Sequence, residues 1–198
     1  KGISLEKDIC GFMLETFQGW GAIFYPYEFV QSIKEICESN NILLAFDEMQ
    51  SGFGRTGKNF GFEHYGVKPD LIACGKGMGG GVPLSGVLGR KELLDLPEVG
   101  NMSSTHSANP LVCSAGLAVL NELSSKNLVK ASEEKGKYLH NLLNQLRKKY
   151  PKNITYIFGK GLIASIIVRS TNKSFSDGEF ASIISQSCYQ KGLLVVHT

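Results

Sequence analysis

Between residues 42 and 89 the sequence reads ILLAFDEMQSGFGRTGKNFGFEHYGVKPDLIACGKGMGGGVPLSGVLG, and two short apolar runs in it each lead to a reactive group. Leu43, Leu44, Ala45 and Phe46 run into Asp47; Leu71, Ile72, Ala73 and Cys74 run into Gly75 and Lys76. Short apolar runs bounded by turn-forming sequence are the pattern of strands buried on both faces, as in a parallel sheet. Residues 60–65 can form a short helix between them, so strand, crossover and strand fit a βαβ unit with a right-handed connection. Asp47 and Lys76 then sit at neighbouring carboxyl ends, where ligands of open α/β sheets bind.

A carboxylate and a lysine facing one crevice suit a heterocyclic cofactor. Its aldehyde would take the lysine as a Schiff base, and its ring nitrogen would need an anionic partner. Pyridoxal 5'-phosphate (PLP) meets that description. A nucleotide-binding P-loop, GxxxxGK[ST], would need the lysine after the spaced glycines and a hydroxyl next, but Lys76 is followed by Gly77.

Three blocks, DEMQSGFGRTG from Asp47, CGKGMGGGVPLSGVLG around Lys76 and STHSANP from Ser104, resemble in order and spacing the signature of the class III (omega-type) aminotransferases of PLP fold type I. The resemblance implies a large α/β domain with a mostly parallel sheet, followed by part of a small α+β C-terminal domain. It implies a transferase that moves an amino group from an amino acid or ω-amino acid to a 2-oxo acid, in a homodimer with a shared active site. By the same resemblance Lys76 and Asp47 are catalytic, Met49 packs on the cofactor ring, and Gln50 reaches its phenolic oxygen. Thr105 binds the cofactor phosphate of the other subunit, and Glu15 helps to gate an arginine absent from this chain. Met49 stands where valine is common and Trp20 where an acid is common. The run 79–89 resembles 4-aminobutyrate-type members. A complete member is roughly twice as long; Lys1 is not a start methionine and Thr198 follows an apolar run, so the sequence reads as an internal piece.

In chain order, residues 9–14 form a third strand ending at the acid Glu15. Residues 26–38 carry Phe29, Val30, Ile33, Ile36 and Cys37 on one stripe and read as a one-sided helix opened by Pro26. Residues 84–88 return as an antiparallel strand and 90–96 as a short helix. Asn109-Pro110 is an N-cap followed by proline at the first helical position. It opens a helix over 111–123 that is apolar nearly all round and is expected to be buried. A long helix over 128–150 with Leu139, Leu142, Leu143 and Leu146 on one stripe is stopped by Pro151. Strands are expected at 154–158, 162–168 and 193–196, with a helix over 180–188. The division is 1–125 for part of the PLP-binding domain, 126–150 for a linking helix and 151–198 for part of the small domain.

Lysine plus arginine number 21 against 18 acids, a net charge of +3, with the basic residues scattered except for Arg147-Lys148-Lys149 at a helix end. Nucleic acid is a poor partner on that pattern. No apolar run approaches the ~18 residues of a membrane span. Five cysteines without a CxxC pair point to buried thiols in the cytoplasm or an organelle matrix, with neither zinc nor disulfides. No metal is required for transamination. Arg55 reads as structural, His64 and Tyr65 as packing, and His106 as packing or part of a polar network. The readings set against transfer are a decarboxylase or aminomutase on the same scaffold, or a non-catalytic α/β fragment.

Overall fold

A computed structural model describes residues 4–197. Helix α1 (Leu5–Asp8) leads to strand β1 (Gly11–Glu15), a small hairpin of β2 (Phe17–Gln18) and β3 (Ile23–Phe24), and helix α2 (Tyr27–Ser39). Strand β4 (Leu43–Asp47), a 3₁₀ turn at Gly61–Tyr65 and β5 (Leu71–Cys74) follow, then a second 3₁₀ turn at Lys76–Gly79, strand β6 (Gly86–Gly89) and helix α3 (Lys91–Leu94). Helices α4 (Pro110–Ser125) and α5 (Leu128–Lys149) come next, then the hairpin β7 (Ile154–Phe158) and β8 (Ser165–Val168), and helix α6 (Asp177–Gln190).

The main sheet has the order β1-β4-β5-β6, with β1, β4 and β5 parallel and β6 antiparallel to β5. On β4, Leu44 and Phe46 are fully buried and Leu43 and Ala45 half-buried, so both faces are covered as the uninterrupted apolar run requires. Val30 and Cys37 of α2 pack with Leu44, Phe46, Tyr65 and Val67 in the core. Burying a side chain such as Phe46 contributes about 2–3 kcal/mol. Asp70 fixes where β5 begins: its backbone N–H donates to Leu44 O and its Oδ2 accepts from Leu44 N–H, both at 2.8 Å. Its Oδ1 lies 3.3 Å from Arg90 Nε.

Several expectations need correction. Pro26 is the N-cap of α2 and lies outside its first turn. Phe29 and Ile36 stay partly exposed, although Phe29 packs on Tyr25 with ring centroids 5.5 Å apart. The returning strand starts at Gly86, because the segment before it lines a cavity. β8 starts at Ser165, because Leu162 N–H is already given to Arg55 O at 2.9 Å. Residues 193–196 form no strand, since no strand among the described residues pairs with them; Val195 O accepts from Ser185 Oγ at 2.7 Å, and Leu194 and Val196 point into solvent. The helix expected to be buried, α4, buries only Gly116 and leaves Leu111 76%, Leu117 62% and Leu120 52% exposed. One face of α4 packs on the 76–80 loop and its C-terminal end meets α5, while no described residue covers Leu111, Leu117 and Leu120. The α5 stripe is only partly covered; the buried residues there are Ser132 and Gly136. Asn109 does cap α4, its side chain accepting from Val112 N–H.

Candidate active site

Parallel pairing places Glu15 opposite Asp47 and Asp47 opposite Ala73, so three strand ends meet at one edge of the sheet. Lys76 follows Ala73 by three residues. Asp47 is half-buried, and its Oδ1 accepts a 2.9 Å hydrogen bond from Met49 N–H, leaving Oδ2 without a partner among the described residues. Lys76 begins a 3₁₀ turn with φ +43°, a left-handed conformation that costs a non-glycine residue about 1–2 kcal/mol. The turn is held by Met78 N–H on Gly75 O at 3.0 Å and Gly80 N–H on Gly77 O at 3.2 Å.

Beside this turn lies an open cavity of about 580 Å³ lined by Met49, Gly75, Lys76 and residues 81–85. Its size falls within the range of small-molecule sites. Asp47 does not line it directly; Met49 forms the connection. A Cβ at Gly75 would collide with Met49 Sδ, so glycine there lets the thioether lie against the backbone next to Lys76. The structure therefore brings Asp47, Met49 and Lys76 to one place.

Gln50 and Glu15 form a second group alongside. Gly19 N–H donates to Glu15 Oε2 at 3.2 Å, and a Cβ at Gly19 would lie 2.6 Å from Gln50 Oε1 and 3.0 Å from Glu15 Oε1. Both side chains thus converge on the bare Gly19 backbone, with exposed Trp20 beside it. Thr105 is not brought to this edge. It lies on an exposed turn closed by Ser107 N–H on Ser104 O at 3.1 Å, and does not line the cavity. His106 is exposed, its carbonyl accepting from the Asn109 side chain.

Sequence reasoning missed Glu48 and Thr16. Glu48 is fully buried, although an acid following a strand-end aspartate would ordinarily lie in solvent. Its carboxylate accepts from Thr16 Oγ1, from Ser51 Oγ and Gly61 N–H at 2.7 Å each, and from Phe62 N–H at 2.9 Å. Nothing local in the sequence signals donors so far apart along the chain. Burial, the largest cause, pushes the Tyr65 hydroxyl up to about 12 and the Cys74 thiol up to about 11, and the Glu48 charge adds to both. His64 packs edge-on against Phe24, with ring centroids 5.6 Å apart, and its Nε2 lies 3.2 Å from Thr56 O. Burial first, then the Lys160 charge, lower it to about 4. Arg55 serves through its carbonyl, which accepts from Leu162 N–H and from Ser132 Oγ.

The residues present fit the ring end of PLP: an amine on a strained turn, a carboxylate with one uncommitted oxygen, and an adjoining cavity of suitable size. No cluster of metal-ligating side chains occurs among the described residues. No helix among them is long and apolar enough to cross a membrane.

Known proteins resemble the chain in sequence and fold. The family model "Aminotransferase class-III" matches residues 3–198. An acetylornithine aminotransferase of Caldanaerobacter subterraneus subsp. tengcongensis is 39% identical over 193 residues, covering 97% of this chain and 47% of that protein. A leucine/methionine racemase of Thermococcus litoralis is 37% identical over 190 residues, covering 94% of this chain and 42% of that protein. The crystal structure of an acetylornithine aminotransferase from Elizabethkingia anophelis superposes with a TM-score of 0.86 at 31% identity, covering 96% of this chain and 47% of that one. The chain spans about half the length of the curated relatives it matches.

Proposed function

Because the chain belongs to the class-III aminotransferase family, whose members are PLP enzymes, we propose that the protein it forms part of moves an amino group from an amino donor to a 2-oxo acid. The observation that carries this reading is the placement of Asp47 at the end of β4 and Lys76 just after the adjacent parallel β5, joined through Met49 beside one cavity. The bound cofactor would supply an electron sink for the carbon that loses a proton. Asp47 Oδ2 holds the proton on the ring nitrogen. Lys76 would anchor the cofactor through its amine, and its Nζ, once displaced by the donor, would take the proton from the amine-bearing carbon and deliver it to the cofactor's aldehyde carbon. Met49 offers an adaptable apolar surface to the ring. Gln50 hydrogen-bonds the phenolic oxygen, and Glu15 gates an arginine supplied by the rest of the protein.

The donor we favour is an ω-amino acid, 4-aminobutyrate-like in that its free amine ends the chain. The run 79–89 supports this, as does the likeness to enzymes named for acetylornithine. The racemase among the relatives supports a second reading, inversion at an amine-bearing carbon with the amine retained. Product analysis separates them: transfer releases a 2-oxo acid or aldehyde, racemisation only the mirror-image substrate.

We further propose a homodimer in which Thr105 holds the phosphate of the partner's cofactor. The exposed Ser104–Ser107 turn and the uncovered apolar face of α4 support it. Residues 1–125, 126–150 and 151–198 are assigned to cofactor domain, linking helix and small domain, supported by the separate β7–β8 sheet; residues 1–3 and 198 lie outside the described residues. Five unpaired cysteines support a reducing compartment, the cytoplasm or an organelle matrix.

The test uses the full-length enzyme. Borohydride reduction with PLP followed by peptide mapping should place the label on Lys76, and Lys76→Ala should abolish both label and turnover. Asp47→Asn keeps the Met49 contact but loses the anion, a charged hydrogen bond worth roughly 1.5–3 kcal/mol, so amino transfer should slow about 10- to 150-fold. A label on another lysine, or an unchanged rate in Asp47→Asn, sinks the assignment.

A further inference from the structure

The Glu48 carboxylate sits where the three site-bearing strands come together, and none of the roles assigned above uses it. It is completely buried, and no cation pairs with it among the described residues. A carboxylate removed from water is costly unless its acceptor sites are filled, and here four donors fill them. Oε1 takes Thr16 Oγ1 and Phe62 N–H; Oε2 takes Ser51 Oγ and Gly61 N–H.

These donors come from separate stretches of chain, and each adjoins a site residue or the crossover. Thr16 directly follows Glu15, Ser51 directly follows Gln50, and Gly61 and Phe62 open the crossover turn. The Glu48 backbone N–H donates to Ala73 O at 2.9 Å, tying the same residue to the strand that leads to Lys76. The ring closes through Tyr65, whose hydroxyl donates to Thr16 O at 2.7 Å and accepts from Tyr25 N–H at 3.0 Å. The fit leaves no slack: a Cβ on Gly61 would lie 2.6 Å from Thr16 Cγ2 and 2.9 Å from Ser51 Cβ.

We propose that Glu48 is a positioning residue: its buried carboxylate clamps the segments after β1 and β4 to the crossover turn, and so sets Glu15, Asp47 and Gln50 relative to Lys76. The proposal rests on the reading of those residues as a PLP site. Its chemistry is specific to a carboxylate. Glutamine has the same shape but one acceptor oxygen, so its NH₂ must face either Gly61 N–H or Phe62 N–H. The Thr16 and Ser51 hydroxyls can rotate to accept, whereas a backbone N–H cannot. One amide therefore loses its partner, and the clamp opens on that side.

The full-length enzyme carries the test, with Glu48→Gln, Thr16→Val and Thr16→Ser as variants. In cofactor-free Glu48→Gln, hydrogen exchange at Gly61 or Phe62 should accelerate about tenfold or more. In the PLP-loaded variant, displacement of Asp47 and Gln50 should slow the half-reaction with amino donor about 10- to 100-fold, with donor KM changing less than about threefold. Thr16→Val removes one donor and keeps the shape, so its half-reaction should slow about tenfold; Thr16→Ser, which keeps the hydroxyl, should restore the rate. Unchanged exchange overturns the clamp. Faster exchange with an unchanged half-reaction overturns the positioning role. Should Glu48→Gln not fold, the Thr16 pair decides: equal rates in Val and Ser variants that differ only in melting temperature overturn the proposal. Wild-type enzyme that takes up no PLP overturns the functional reading instead, and exchange read on cofactor-free protein keeps that failure separate.

Discussion

Replacing Gly161 with alanine should loosen the β7–β8 hairpin from the loop that follows the proposed site. Gly161 has φ +58°, and its Cβ position lies 2.6 Å from Gly57 N and 2.7 Å from Thr56 Cα, and in collision with Thr56 C. All three are backbone atoms, so no flexible side chain can move aside. On the other side Gly136 of α5 faces Gly161, where a Cβ would come within 2.6 Å of the Gly161 carbonyl carbon. Beside this contact Leu162 N–H donates to Arg55 O at 2.9 Å, and Ser165 Oγ donates to Gly21 O. An alanine in the left-handed region costs about 1–2 kcal/mol, and forcing an extra methyl into packed surroundings about 1–3 kcal/mol. Together they predict a destabilisation of about 2–5 kcal/mol, borne by the junction of hairpin, α5 and loop. The assay is urea unfolding of the full-length enzyme with limited proteolysis around residues 159–161. Gly178→Ala serves as control, because it lies in α6 and a Cβ there meets nothing within 4 Å. It should be neutral or stabilise by up to about 1 kcal/mol. A Gly161→Ala enzyme no less stable than the Gly178→Ala control would refute the reasoning.

His64 should give the fold an acid-sensitive component. Its pKa is lowered from 6.5 to about 4, so between those values the unfolded chain binds a proton that the native chain does not. Stability should be complete above about pH 6.5 and fall as pH drops towards 4; His64→Gln should flatten the urea-midpoint profile over that window, and an identical slope would exclude His64 as its source. For Thr105, mixing full-length Thr105→Ala and Lys76→Ala subunits should regain activity if the contact crosses the interface. The Thr105→Ala chain keeps its Lys76 and borrows Thr105 from its partner. Absence of recovery after verified subunit exchange would show that Thr105 serves its own chain or no site.

Much of the central unit was legible because its signals are local. Four apolar residues running into Asp47 and four running towards Lys76 specify two buried strands, and the short crossover between them leaves one topology. The N-cap at Asn109 and the stop at Pro151 are equally local. The small hairpin of β2 and β3 was not legible, since strands of two residues carry no periodicity. Residues 193–196 were misread as a strand because an apolar run marks burial or pairing without naming a partner. The exposed face of α4 has the same origin, in that composition can demand a covering surface that none of the described residues supplies.

The sequence by itself determined the parallel core, because apolar runs act over a few residues, and the family, through three motif blocks that resemble it. Tertiary structure alone decided which groups stand together. Met49 is laid against Gly75, Glu15 and Gln50 converge on Gly19, and Glu48 is buried among donors from residues 16, 51, 61 and 62. Such contacts depend on how strand ends and loops meet in space. An acid at position 48 reads as solvated until those distant donors arrive to replace its water.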